Sequence, residues 1–88
     1  MDKYDRTLKL QDYKDLANAQ AGSLDRYNED DMARVQPLFK KGYIAIADAR
    51  FVILTEAGYN CMAAVKFERY NQKEWFEKFP EIVAELES

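Results

Sequence analysis

The stretch 38–59, which reads LFKKGYIAIADARFVILTEAGY, constrains the fold of this chain more than any other part of it. Gly42 follows an amphipathic run and stands where a helix C-cap belongs, because glycine adopts the left-handed conformation without a steric penalty. The segments Tyr43–Ala47 and Phe51–Leu54 are rich in β-branched and aromatic residues, which favours two strands. The three residues 48–50 between them are enough for a hairpin loop. We therefore predict a helix that ends near Gly42 and a β-hairpin that follows it at once.

Because side chains alternate between the two faces of a strand, Ile44 and Ile46 are predicted to lie on the same face of the hairpin. A second helix is predicted directly after the hairpin. Thr55 is a good N-cap residue, and Glu56 lies in the first turn, where a carboxylate suits the positive end of the helix dipole. From about Glu56 to Tyr70 the helical period places apolar residues on two faces, and such a helix is usually covered on both. The second face needs the C-terminal segment or a second copy of the chain, and we expect a homodimer through the helices after Thr55. One face carries Ala57, Cys61, Ala64 and Val65, and the other carries Tyr59, Met62, Ala63, Phe67 and Tyr70.

An earlier helix is predicted from Leu10, where apolar residues begin to recur at the helical period. Thr7–Leu10 alternates between polar and apolar residues, so it fits either a third strand beside the hairpin or the first turn of this helix. Gly22 and Ser23 are expected to end the helix, and the polar residues 1–6 are expected to fray. The predicted buried stripe is Leu10, Tyr13, Leu16, Ala17 and Ala21, with Leu24 just beyond, and the predicted solvated face is Asp12, Lys14, Asp15 and Asn18.

The helix before the hairpin has a clear predicted start. Asn28 is a good N-cap residue, and Asp31 stands three residues later, as in a capping box. The helix should run from about Glu29 to Lys41, and Pro37 inside it removes one backbone hydrogen bond and should kink it. Lysines at its C-terminal end suit the negative end of the helix dipole.

The C-terminal segment is predicted to be helical as well. Asn71 to Glu74 resembles a capping box, so a helix should begin near Gln72, and Pro80 restarts the chain after it. Together these elements predict one α+β domain over residues 1–88, mostly helical with one β-hairpin.

Composition argues against an enzyme. The chain has no histidine and one cysteine, Cys61, which excludes histidine-dependent nucleophilic catalysis and the usual zinc sites. We expect no catalytic residue, no metal and no cofactor, and we expect Cys61 to be a small core residue. The chain contains no apolar run long enough to span a membrane, and its N-terminal residues lack the apolar core of a signal peptide. A cytoplasmic location without membrane contact is therefore expected.

The charge is unevenly distributed along the chain, although the net charge is only −3. Residues 1–31 carry eight acids against five bases, and residues 72–88 carry five acids against two bases. The middle part, residues 32–71, carries six bases against three acids and contains the hairpin. An excess of positive charge around the hairpin is where contact with a phosphate backbone is expected.

The pattern Leu38…Gly42-Tyr43-Ile44…Leu54-Thr55-Glu56-Ala57-Gly58 resembles the end of the recognition helix, the wing and the start of the next helix in winged helix-turn-helix proteins of the MarR and PadR type. The resemblance covers about a quarter of the chain. It implies a winged-helix-like transcriptional regulator that binds double-stranded DNA. Residues 28–41 would form the recognition helix, with Arg34 and Gln36 as readers of the bases, and Lys40, Lys41 and Arg50 would contact phosphates, Arg50 from the wing.

The acidic residues before and within that helix indicate an alternative. Glu29, Asp30 and Asp31 lie at the helix end that usually approaches the bases, where phosphates would repel them. With Asp25 they suit a basic protein surface instead. The alternative is therefore a protein-interaction module, such as an inhibitor or adaptor of a phage or mobile element that acts on a host protein in the manner of anti-CRISPR proteins. A continuous basic face from Arg34 through the lysines to the wing would favour DNA, and a dominant acidic face would favour a protein partner.

Overall fold

Five α-helices and a three-stranded sheet make up the described part of the computed structural model, which covers residues 5–20, 22–67 and 71–87. The predicted α+β class is confirmed. No helix among these residues is long and apolar enough to cross a membrane. The elements in chain order are α1 Leu10–Asn18, β1 Gly22–Ser23, a 3₁₀ turn Leu24–Arg26, α2 Glu29–Lys40, β2 Ile44–Ala47, β3 Phe51–Leu54, α3 Glu56–Ala64, α4 Gln72–Lys78 and α5 Pro80–Glu87.

The predicted hairpin is confirmed, and β3 is the central strand of an antiparallel sheet in the order β1-β3-β2. Of the two alternatives for Thr7–Leu10, the third strand does not form, and the end of the segment starts α1 instead. The backbone N–H of Thr7 donates to the Asp5 carboxylate at 2.9 Å, which turns the chain, and Leu10 begins α1. Gly22 and Ser23, expected to end a helix, pair with Val52 and Phe51 instead. The prediction failed because this two-residue strand has no β-branched or aromatic residue to mark it.

The local signals around the hairpin behave as predicted. Gly42 has φ +78°, the left-handed conformation expected after α2. The Thr55 hydroxyl accepts the backbone N–H of Gly58 at 3.2 Å and so caps α3. The turn itself is held by a hydrogen bond of 3.1 Å from the Arg50 N–H to the Ala47 carbonyl, and Asp48 and Ala49 both have positive φ. These features depend on near neighbours in the chain, which is why the sequence pattern specified them.

The helix after the hairpin is shorter than predicted. It ends at Ala64, because Lys66 adopts φ +54° and the N–H of Phe67 bonds back to the Met62 carbonyl at 3.1 Å. The carbonyl of Val65 then accepts the indole N–H of Trp75 at 2.6 Å, which ties α4 to the end of α3. The remaining residues of the predicted helix, 68–70, lie outside the described residues.

The core lies between α1, α2, the inner face of the hairpin and the last three helices. Tyr13 and Leu16 of α1 are fully buried, as are Val52 of β3 and Leu38 of α2. Cys61 is buried too, as predicted. The C-terminal segment packs on the residues that follow α3, and the Phe67 ring lies 4.9 Å from that of Trp75. The other buried core residues include Leu8, Leu10, Ala17, Ala19, Val35, Ile44, Leu54, Met62, Val65, Ile82 and Leu86.

Candidate interaction surfaces

Asp15 of α1 and Arg34 of α2 form a bidentate ion pair that joins the two helices. The guanidinium donates from Nε to Oδ2 at 3.0 Å and from Nη2 to Oδ1 at 3.1 Å. The Gln11 amide adds a third hydrogen bond of 3.2 Å to Oδ1. The prediction that Asp15 lies on a solvated face is wrong: only 5% of Asp15 is exposed. The partner that makes this burial possible is 19 residues away, so no local pattern revealed it.

Arg34 also fixes the first turn of α2. Its Nη1 lies 2.9 Å from Oδ1 of Asp31. The predicted capping box is confirmed, since the Asn28 side chain accepts the N–H of Asp31 at 2.7 Å and Asp31 accepts the N–H of Asn28 at 3.2 Å. The backbone hydrogen bond from Asn28 and the contact with Arg34 lower the pKa of Asp31, and hydrogen bonds to Asp15 and Asp31 raise that of Arg34. The guanidinium is therefore held by two carboxylates of its own chain.

A cleft of about 330 Å³ opens beside this ion pair. Tyr27 lies along it half-buried, and burial together with the charges of Asp15 and Asp31 raises the pKa of its phenol. Among the described residues no group of three or more acidic, histidine or cysteine side chains is arranged to hold a metal ion. The cleft is lined by Asp15, Asn18, Gly22, Ser23, Arg26, Tyr27, Asp31 and Arg34.

The predicted protein-binding residues lie close together in the chain, and we call Asp25, Glu29, Asp30 and Asp31 the acidic end. Asp25, Glu29 and Asp30 are exposed, and none of these three carboxylates has an ion-pair partner within the described residues. The 3₁₀ turn that carries Asp25 is fixed to the hairpin, because the N–H of Leu24 donates to the carbonyl of Arg50 at 2.8 Å. The unpaired carboxylates of the acidic end therefore lie on a backbone that is held by the capping box of α2 and by the hydrogen bond from Leu24 to Arg50.

The predicted DNA-binding residues differ in whether carboxylates of the same chain engage them. Arg34 is engaged by Asp15 and Asp31, and Lys41 lies 3.2 Å from the Asp5 carboxylate and also donates to the Thr7 hydroxyl. Arg50 lies at the tip of the hairpin, next to the acidic end, whereas Lys41 lies at its base, about 13 Å away along a four-residue strand. Gln36, Lys40 and Arg50 are exposed, and their side chains have no hydrogen-bond or ion-pair partner within the described residues.

Asp5 organises a second polar network that sequence reasoning missed. Its carboxylate accepts hydrogen bonds from the Tyr43 hydroxyl at 2.7 Å and from Thr7, and it pairs with Lys41. Burial raises the pKa of Asp5, but these hydrogen bonds outweigh burial and hold it well below its usual value. The hydrogen bond to Asp5 raises the pKa of Tyr43 in turn. Residues 5 and 6 were expected to fray with the rest of the N-terminus, and for Asp5 that expectation is wrong, because its partners lie 36 and 38 residues away.

The hairpin leaves large apolar side chains in contact with solvent. Phe51 and Ile53 alternate with the buried Val52 and Leu54, so they lie on the outer face of β3, and Phe51 is 43% exposed. Ile46 faces the same side as the core but lies on an edge strand, where 48% of it is exposed. Tyr59 on α3 is 52% exposed.

Comparison of the chain with protein-family models, curated proteins and solved structures found no match. Its function is therefore inferred from its own geometry.

Proposed function

We propose that this chain is a small protein-interaction module that binds a basic surface of another protein through the acidic end. The observation that carries this proposal is which charged side chains have ion-pair partners within the chain and which have none. Asp25, Glu29 and Asp30 are exposed without ion-pair partners in the described residues, whereas Arg34 and Lys41 are engaged by carboxylates of the same chain. The three free carboxylates are negative, with the exposed Arg26 and Arg50 beside them, and complementary charge on a partner steers association and selects the partner.

The acidic end is also held rigidly. The capping box and Arg34 fix the first turn of α2, and the hydrogen bond from Leu24 to Arg50 fixes the 3₁₀ turn against the hairpin. Charged groups that are already in position before binding lose less conformational entropy when the partner arrives.

An exposed aromatic side chain lies beside these charges. Phe51 follows Arg50 and pairs with Ser23, two residues before Asp25. Protein interfaces usually combine a buried aromatic or aliphatic centre with a polar, charged rim. Phe51 supplies a candidate centre, and the acidic end supplies one side of the rim.

A protein that itself binds nucleic acid would fit this surface, because its binding site is basic. By covering that surface, this chain would compete with the nucleic acid of its partner. This is the action of a small inhibitor encoded by a phage or another mobile element, and it is the form of the proposal that we favour.

Affinity capture from host lysate tests the proposal with two triple variants. Asp25→Asn, Glu29→Gln, Asp30→Asn removes the free charges of the acidic end. Glu77→Gln, Glu81→Gln, Glu87→Gln is the control, since it removes three exposed acids from α4 and α5 and changes the net charge equally. We expect one or a few basic proteins to be retained by the wild type and by the control but lost by the first variant. Retention of the same proteins by both variants, or of none by the wild type, would reject the proposal.

A second candidate function, a winged-helix DNA-binding regulator, is supported by the order of the elements. A long helix leads directly into the hairpin, and a strand that precedes this helix completes the sheet in the order β1-β3-β2. On this hypothesis α2 would enter the major groove and Arg50 would reach a phosphate from the wing. Gln36, Lys40 and Arg50 have the exposure that this requires. This candidate predicts salt-dependent binding to duplex DNA that is lost in the double variant Lys40→Glu, Arg50→Glu.

A further inference from the structure

The cleft beside Asp15 and Arg34 lies between the end of α1, β1 and the first half of α2. Its volume of about 330 Å³ is at the lower end of the range of ligand-binding pockets, roughly 300–1,000 Å³. Gly22 contributes no side chain to the lining, and a Cβ atom there would lie 3.0 Å from the Asn18 carbonyl oxygen and 3.7 Å from the Tyr27 hydroxyl oxygen. The cleft is therefore large enough for one long side chain, and two oxygen atoms border the space beside Gly22.

The wall of the cleft carries one negative charge in excess. Arg34 pairs with both Asp15 and Asp31, so one guanidinium is shared by two carboxylates. Burial raises the pKa of the Tyr27 phenol most, and the charges of Asp15 and Asp31 raise it further, each by more than Arg34 lowers it. Arg26 also lines the cleft, but it is exposed and is not among the charges that shift this pKa. A cation that enters beside Tyr27 is therefore attracted.

The cleft also offers oxygen atoms to a hydrogen-bond donor. The side-chain hydroxyl groups of Ser23 and Tyr27 make no hydrogen bond with another described residue. α1 ends at Asn18 without a basic residue in its last turn, and the carbonyl groups at the C-terminal end of a helix favour a cation. The opposite dipole, at the start of α2, is already matched by three acidic residues in the first turn. These groups together suit a donor that carries positive charge.

We propose that the cleft binds one arginine side chain from the basic surface of the partner protein. This proposal rests on the proposed function and names one of its contacts. The guanidinium lies against the Tyr27 ring and donates to the Tyr27 and Ser23 hydroxyl groups and to the end of α1. The exposed carboxylates of Asp25, Glu29 and Asp30 stay free for other basic residues of the same partner. Arginine is also one of the residues that most often dominate the binding energy of protein interfaces.

Arginine fits this cleft better than lysine. Its planar guanidinium has five N–H donors in a fixed arrangement, and the acceptors of the cleft are spread over the end of α1, Ser23 and Tyr27. The lysine ammonium is more strongly hydrated, so it loses more when it leaves water, and it cannot stack on a tyrosine ring as a plane. Selectivity for arginine over lysine is therefore the property that separates this cleft from a general attraction of cations by an acidic chain.

A nuclear magnetic resonance titration tests the cleft without any partner protein. The probe is N-acetyl-arginine methylamide, whose only charge is on the side chain, and the lysine and glutamine analogues are the comparisons. We expect the arginine compound to cause saturable shifts of the Gly22, Ser23 and Tyr27 amide signals, with a dissociation constant on the order of 10 mM. The lysine compound should bind at least about threefold more weakly, and the glutamine compound should cause no saturable shift. No saturable shift with the arginine compound, or equal binding of the arginine and lysine compounds, would overturn the proposal.

Two variants with the same change in net charge locate the binding. Asn18→Lys places an ammonium group at the cleft, where a lysine suits the end of α1, and Asn60→Lys places one on the exposed face of α3, which does not line the cleft. We expect Asn18→Lys to weaken binding of the arginine compound at least about fivefold and Asn60→Lys to change it by less than about twofold. Equal weakening by the two variants would show that the attraction is general and would overturn the proposal.

Failure of this proposal and failure of the proposed function are distinguishable, because the arginine compound binds without a partner. Capture of basic proteins that depends on the acidic end, without binding of the arginine compound, would leave the proposed function in place and overturn the arginine site. Binding of the arginine compound at Gly22, Ser23 and Tyr27, without capture of any protein, would support the arginine site and reject the proposed function.

Discussion

The two ends of α2 are anchored differently. At the N-terminal end, Arg34 holds the buried Asp15 with two hydrogen bonds and Asp31 with a third. At the C-terminal end, Lys41 makes a single ion pair with Asp5, which is itself held by Thr7 and Tyr43. The first anchor centres on the buried carboxylate of Asp15, whose partner Arg34 is partly exposed, whereas the second consists of several partly exposed hydrogen bonds. The free charges also differ, since the acidic end adjoins the first anchor and the unpaired Lys40 adjoins the second.

The two anchors differ in how far their carboxylates are shielded from solvent, since Asp15 is buried and Asp5 is partly exposed. The buried pair uses Arg34, the residue that the winged-helix resemblance implied as a reader of bases, to hold the acidic end in place. Removal of one member of such a pair leaves the other without its partner, which costs more than the loss of an exposed pair. The two anchors should therefore respond very differently to comparable substitutions.

The largest expected effect is that of Asp15→Asn. This substitution removes the negative charge that pairs with Arg34 and keeps the shape of the side chain. We expect the free energy of unfolding to fall by about 2 kcal/mol. The loss is limited to this size because the guanidinium is partly exposed and partly screened by solvent. Urea denaturation measures the change. Asp30→Asn is the matched control, since Asp30 is exposed without an ion-pair partner in the described residues, and its effect should stay within about 0.5 kcal/mol. Equal effects of the two substitutions would show that the buried pair contributes no special stability.

The next effect in size is that of Asp5→Asn, which should cost about 1 kcal/mol at neutral pH. Because the folded-state pKa of Asp5 lies below the ordinary value of 3.8, its contribution is complete above about pH 5 and declines as the pH falls through and below 3.8. The stability difference between wild type and variant should therefore shrink on acidification. A difference that is the same at pH 3 and pH 7 would contradict the assigned hydrogen bonds.

A smaller effect, a gain in stability, is expected from a substitution at the hairpin tip beside the first anchor. Ala49 has φ +55°, which is unfavourable for any residue with a Cβ atom. Ala49→Gly relieves this strain and should raise the free energy of unfolding by about 0.5 kcal/mol, after the added flexibility of the unfolded chain is counted. Ala47→Gly is the control in the adjacent strand, and it should lower the thermal midpoint while Ala49→Gly raises it.

The smallest effect is expected for Lys41→Gln. The Lys41 ion pair is partly exposed, and Asp5 keeps its hydrogen bonds from Thr7 and Tyr43 when the lysine is removed. We expect a loss of at most about 0.5 kcal/mol, which falls further in high salt. A loss as large as that of Asp15→Asn would remove the contrast between the two anchors.

The sequence predicted what near neighbours determine. The hairpin, the Gly42 cap, the Thr55 cap and the Asn28–Asp31 capping box each arise from residues within a few positions of one another. The burial of Asp15 could not be predicted in this way, because Arg34 is its partner only after α1 and α2 have packed together. The network around Asp5 has the same origin.

Two errors in secondary structure also have physical causes. β1 was not predicted, because Gly22 and Ser23 have low strand propensity. They form a strand only through their pairing with β3. α3 was extended too far because the buried Val65 and Phe67 continue the apolar pattern after the helix itself has ended. Among the candidate site residues, the sequence identified the exposed acids, but it gave no sign that Arg34 and Lys41 are engaged within the chain.

The central claim is that the acidic end, and not the basic side of α2, is the binding surface. Fluorescence anisotropy of a labelled random DNA duplex, titrated with the chain, tests this claim most directly. We predict no saturable binding at about 10 µM protein even at 50 mM salt, since Arg34 and Lys41 are engaged by carboxylates of the chain and Arg50 lies beside the acidic end. Three phosphate contacts would instead give binding that weakens about 40-fold between 50 and 200 mM salt. Such binding, lost in Lys40→Glu, Arg50→Glu and retained when Asp25, Glu29 and Asp30 are neutralised, would contradict the account and establish the DNA-binding function.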